Sequence, residues 1–98
     1  MLTETERQKA RFQIYQIDIP SDDYQRFAVA HNLGRAIELV VNKHDDLDPG
    51  QMMIAWNVTN SWICHSQLAA QATYALLKEK REGRVEYDYH EGWQRVEY

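Results

Sequence analysis

The chain's only cysteine, Cys64, adjoins His65 inside WNVTNSWICHS, residues 56–66, the stretch whose residue types come closest to chemistry. A thiol beside an imidazole base is a covalent nucleophile, and cysteine with histidine can also bind zinc. The spacing argues against both. On a helix, sequence neighbours point about 100° apart and contacts fall three or four residues away. The residues one or two turns from Cys64 are Asn57, Asn60, Ser61, Gln67, Leu68 and Gln71, none of which can take its proton. His31, His44 and His90 are widely spaced, without the tight C-x-x-C or H-x-x-x-H pairs of zinc sites. No glycine-rich phosphate loop, Ser-His-Asp set or paired catalytic carboxylates can be found. The expectation is no catalytic residue, no metal and no cofactor. Asn57-Val58-Thr59 matches the N-glycosylation pattern, but no secretion leader opens the chain to give the match meaning.

A second group of residues suits recognition better than reaction. Tyr87, Tyr89, Trp93 and Tyr98 crowd the last twelve residues, with Glu86 and Asp88 interleaved. Such rings pack cores, anchor protein interfaces or stack on bases. Base stacking normally comes with cations, whereas these neighbours are acidic and the net charge is −4. Those six residues are therefore the expected surface for a partner protein. The basic run KEKREGR, residues 78–84, suits a helix C-terminus, where cations complement the dipole. Combined with the hairpin aromatics, it sustains an alternative of nucleic-acid binding.

The elements that must position these groups can be read from periodicity. TETERQKA, with Thr3 and Glu6 at capping-box spacing, admits a short helix. RFQIYQIDI alternates imperfectly: Tyr15, Ile17 and Ile19 share one face and Phe12 and Ile14 the other, as in a strand covered on both sides or bulged. Pro20 ends it. Ser21 can cap a helix over about 22–43, with Phe27, Ala30, Leu33, Ile37, Val40 and Val41 on one stripe. Asp48, Pro49 and Gln51 resemble a cap, a first helical position and a capping box, which predicts a helix over 49–81 with Gly83 as its stop. That helix would be about 50 Å long and would overhang a globule of this size, bend near Thr59-Asn60-Ser61, or pack on a second subunit. A rival reading makes QMMIAWNV a strand and starts the helix at Asn60 or Ser61. GRVEYDYHEGWQRVEY closes as a hairpin turning near Glu91-Gly92.

The fold expected is α+β in a single domain over 1–98: two main helices packed on a small antiparallel sheet of the N-terminal strand and the C-terminal hairpin. A 44% hydrophobic, 27% charged composition is that of a globular chain, and no apolar run approaches a membrane span. One cysteine and no leader suggest the cytoplasm. The leading expectation is a small non-enzymatic binding or adaptor protein, homodimeric through Trp56, Trp62, Ile63 and Ala70 of the long helix. A further alternative is an inhibitor from a mobile element that presents carboxylates to a nucleic-acid-handling host enzyme, with Asp45, Asp46, Asp48, Glu86, Asp88 and Glu91 as candidates.

Overall fold

A computed structural model describes residues 11–20, 25–43 and 52–96. The Thr3, Ser21 and Asp48 caps, the aspartates at 45, 46 and 48, His44 and Tyr98 lie outside these residues. The elements run β1 (Gln13–Asp18), β2 (Gln25–Ala30), α1 (Leu33–Lys43), β3 (Ile54–Asn57), α2 (Thr59–Ile63), α3 (Gln67–Lys78), β4 (Gly83–Asp88) and β5 (Gly92–Arg95). The five strands form one antiparallel sheet in the order β3-β1-β2-β4-β5. The α+β class, the N-terminal strand and the C-terminal hairpin all stand as expected.

The N-terminal strand is buried on both sides, and its two residue sets feed two separate cores. Tyr15, Ile17 and Ile19 join Ala28 and Ala30 of β2 under Ala36, Leu39 and Val40 of α1. Burial pushes the Tyr15 phenol above the ordinary tyrosine range. Ile14 joins Phe27, Val29 and Val85 under Val58 and Leu76, with Trp62, Leu77 and Trp93 at the margin. The sheet is therefore sandwiched, with α1 on one face and α2–α3 on the other. The two alanines of β2 leave room for α1 to lie close to the sheet.

Two helix boundaries need correction. The helix expected over 22–43 starts only at Leu33, because Gln25–Ala30 is the second strand of the sheet. Its cap is Asn32, whose Oδ1 accepts the Arg35 N–H at 2.8 Å. In β2 Phe27 and Val29 face one side, and Ala28 and Ala30 face the other together with buried Arg26. A strand apolar on both sides lacks the polar alternation that marks a half-buried one, and at helical pitch it mimics a stripe. The 49–81 helix is likewise replaced. Ile54–Asn57 is strand β3, which hydrogen-bonds the outer edge of β1, so the rival strand reading holds there. The remaining helix breaks at Cys64 and His65, and Ser66 recaps it by accepting the Ala69 N–H at 3.0 Å. It ends at Lys78, with Lys80 in the left-handed region (φ 52°); Gly83 opens β4 instead of stopping a helix. With β3 in place, no 49–81 helix exists to form a dimer seam. No helix among the described residues is long and apolar enough to cross a membrane.

Candidate partner-binding surface

The five-residue helix α2 stands on the sheet like a partition, and a hollow opens on each side of it. It is fixed at its base by Thr59, which is buried: the Ile14 N–H donates to Thr59 Oγ1 at 2.9 Å, and the Val58 N–H donates to the Ile14 carbonyl at 2.9 Å. Asn57 Oδ1 accepts the Thr59 N–H at 2.9 Å, which turns the chain from β3 into the helix. Asn60 and Ile63 then look into one hollow, Ser61 and Trp62 into the other.

The hollow on the Trp62 side measures about 310 Å³ and is walled by Phe27, Trp56, Val58, Trp62 and His65, with Gln16, Gln25 and Ser61 as polar groups. Behind it runs a connected set of rings. Trp62 lies 4.3 Å from Tyr87 and 4.9 Å from Trp93 between ring centroids, and Phe27 touches both tryptophans edge-on at 5.9 and 5.4 Å. Tilted and edge-on pairs of this kind are the favoured aromatic geometries. The Trp93 indole N–H donates to Thr73 Oγ1 at 3.0 Å, anchoring the hairpin to α3. Gly92 makes that approach possible: a Cβ there would sit 2.8 Å from Ala72 Cβ.

Ile54 and Trp56 of edge strand β3 point to the α2–α3 side, opposite Asp18 and Gln16. Ile54 is 53% and Trp56 40% exposed, and Trp56 lines the hollow; Met52, just before β3, and Tyr89, at the hairpin turn, are also largely exposed. Two carboxylates, Asp18 of β1 and Asp88 of β4, are held by hydrogen bonds. The Gln16 amide donates to both Asp18 oxygens at 3.0 and 3.2 Å. Asp88 accepts the backbone N–H groups of His90 and Glu91 at 2.7 and 3.0 Å, and these bonds hold its carboxyl below the usual range. Among the described residues no lysine or arginine lines this hollow.

The second hollow, about 620 Å³, is bounded by Arg11, Phe12, Gln13, Asn60, Ile63, Tyr74, Leu77, Lys78 and Lys80. It draws only part of the basic run. Glu79 pairs with Arg95 at 2.7 Å and Glu82 with Arg35 at 2.7 Å, while Arg84 is buried on the α1 face opposite Ala28. The Glu82 and Glu38 carboxylates raise the Arg35 pKa further.

The residues expected from sequence are thus brought together only in part. Tyr87 and Trp93 pack with Trp62, Tyr89 caps the exposed end, and Trp56 faces Trp62 across the hollow. Glu86 lies on the other face of the sheet, paired in register with Gln94, and Asp88 is taken up by the hairpin turn. Ile63 faces the basic hollow, and Ala70 is half-buried on α3. The hairpin aromatics and the basic run, combined in the nucleic-acid alternative, are set apart: Tyr87 and Trp93 pack on Trp62, while Lys78 and Lys80 line the second hollow. Gln16, Gln25, Phe27, Met52 and Ile54 were not anticipated; only correct assignment of β2 and β3 would have put them here. Cys64 is exposed at the C-terminal end of α2, and the His65 ring leans on Trp62 at 5.6 Å. Among the described residues no three His, Cys, Asp or Glu side chains converge as metal ligands. No protein-family model matches this chain, and the comparisons with curated proteins and with solved structures give no match either.

Proposed function

We propose that this chain is a non-enzymatic protein-binding module that seats a partner protein on the β3 side of the sheet. The observation that carries this reading is the exposure of Ile54 and Trp56 on one face of edge strand β3, with Trp56 walling the hollow beside Trp62. Tryptophan and tyrosine beside a pocket are the usual anchors of binding energy. The carboxylates of Asp18, Asp88 and Glu91 favour a partner with basic residues around an apolar projection that enters the hollow. The basic grooves of nucleic-acid-handling enzymes have that character, so inhibition of such an enzyme is the form of action we favour.

The test is affinity capture from the native host with the wild-type chain and with Trp56→Ala and Ile54→Ser side by side. A specific partner should be retained by the wild type and lost by both variants. Hydrogen exchange of the complex should show protection at 52–56 and 87–89. Protection confined to α1 or to α3 would overturn the assignment. Light scattering supplies the remaining arm: a concentration-dependent dimer broken by Trp56→Ala would mean that the face receives a second copy of this chain.

A further inference from the structure

We propose that the hollow on the other side of α2 binds a nucleoside phosphate, either free or as the end of a single strand. Arg11, Lys78 and Lys80 line this space, and among the described residues no carboxylate does. Among the described residues, none of these three cations takes part in an ion pair. The acids of the same run are drawn away, Glu79 to Arg95 and Glu82 to Arg35. Three cations in one concavity repel each other, and a phosphate relieves that repulsion with charge-assisted hydrogen bonds.

The other walls point to more than a bare anion. A cavity of about 620 Å³ has the size of small-ligand pockets, roughly 300–1,000 Å³, and is far larger than a phosphate needs. Tyr74 borders it with a ring 60% exposed, a surface on which a base can stack. Gln13 and Asn60 bring amides suited to the edges of a base or a sugar. Gln13 Oε1 accepts from Asn57 Nδ2 at 3.2 Å, which assigns its NH₂ group the role of donor to a ligand. The acidity of the whole chain disfavours a long polyanion and favours a short or terminal one.

Lys80 adds an independent sign. It holds a left-handed backbone conformation at the C-terminal end of α3, where helices ordinarily place glycine. A lysine there carries conformational strain, and its side chain is delivered to the hollow.

Nuclear magnetic resonance titrations of the full chain with adenosine 5′-monophosphate, adenosine and inorganic phosphate test this directly. The monophosphate should give saturable shifts at Asn60, Tyr74 and Lys78, weakening with salt, and should bind about tenfold or more tighter than either fragment. Lys78→Gln with Lys80→Gln should weaken it by more than about tenfold, and Tyr74→Ala by less. Arg11→Gln gives a second charge test on a different segment. A short oligothymidylate with and without a terminal phosphate separates the two sources: tighter binding of the phosphorylated strand than of the mononucleotide assigns the site to a strand end, and the reverse to a free nucleotide. Equal binding of adenosine and its monophosphate, equal binding of inorganic phosphate and the monophosphate, or no loss in the double lysine variant, would overturn the proposal.

Discussion

The two hollows share one wall and differ in almost everything else. On one side of α2 the lining is aromatic and uncharged amide, and Trp62 is braced from behind by Tyr87 and Trp93. On the other side three cations face the cavity, between apolar walls made by Phe12, Ile63 and Leu77. The contrast shows how a small acidic domain can display opposite chemistries: it needs only a short helix whose successive residues point apart. Asn60 and Ile63 belong to one environment and Ser61 and Trp62 to the other. Substitutions should therefore act on one side, on both, or in opposite senses, according to where they meet this partition.

The largest effect is expected at Gly92. Its φ of 85° and the 2.8 Å separation a Cβ would have from Ala72 Cβ make Gly92→Ala both strained and overpacked. Such a change should destabilise by about 2–4 kcal/mol, measured by urea unfolding. The hairpin would lift from α3 and loosen the aromatic side. Ala72→Gly in the same chain should recover part of the loss, since it removes the atom in collision. No recovery would mean that the backbone angle, not the contact, dominates.

Thr59→Val comes next and should touch both sides at once. It leaves the buried Ile14 N–H without its acceptor and releases the base of α2, a loss of about 1–3 kcal/mol. Thr59→Ser keeps the oxygen and should restore most of the stability. Amide shifts in the valine variant should spread to Trp62 and to Asn60 alike. Shifts confined to one hollow would mean that α2 is held by its packing rather than by this bond.

How far these features can be seen in the sequence depends on the kind of pattern each one leaves. The two-sided burial of Tyr15 and Ile14 and the turn before Gly92 are written in alternation and in turn residues, and both are where the sequence places them. Residues 25–30 and 54–57 are strands because of what lies beside them. Ile54–Asn57 satisfies the edge of β1, a requirement that no window of those residues expresses. The same holds for the site. Tyr87 and Trp93 are conspicuous as letters, but Phe27, Gln16 and Ile54 join them only through strand pairing. Of the basic run, the letters cannot say that Glu79 and Glu82 turn to other arginines and leave Lys78 and Lys80 together.

Acid should sharpen the contrast more gently, through the hairpin tip. The backbone bonds from His90 and Glu91 depress the Asp88 pKa in the folded chain. A depressed carboxyl contributes stability that is fully present above its unfolded value, about 4, and is lost as pH falls through the folded value below that. The stability difference between wild type and Asp88→Ala should accordingly stay constant from neutral pH down to about 4 and then shrink. Shifts at Tyr89 and Trp93 should follow it, while those at Tyr74 should not. A difference that grows on acidification would reverse the assignment of the bonds.

The smallest effect is the most discriminating, because its two readouts should move in opposite directions. Lys80→Gly relieves a left-handed lysine but adds freedom to the unfolded chain, so the net gain should be a few tenths to about 1 kcal/mol. The same change removes one of three cations from the basic hollow and should weaken adenosine monophosphate by about tenfold. Lys80→Gln loses the charge and keeps the strain, so it should bind equally poorly without the gain in stability. If glycine stabilises and binding is unchanged, Lys80 is a helix stop and nothing more. If stability rises while affinity falls, the strain at residue 80 is retained for the position of its ammonium group, and the chain gives up stability on the basic side to hold a charge there.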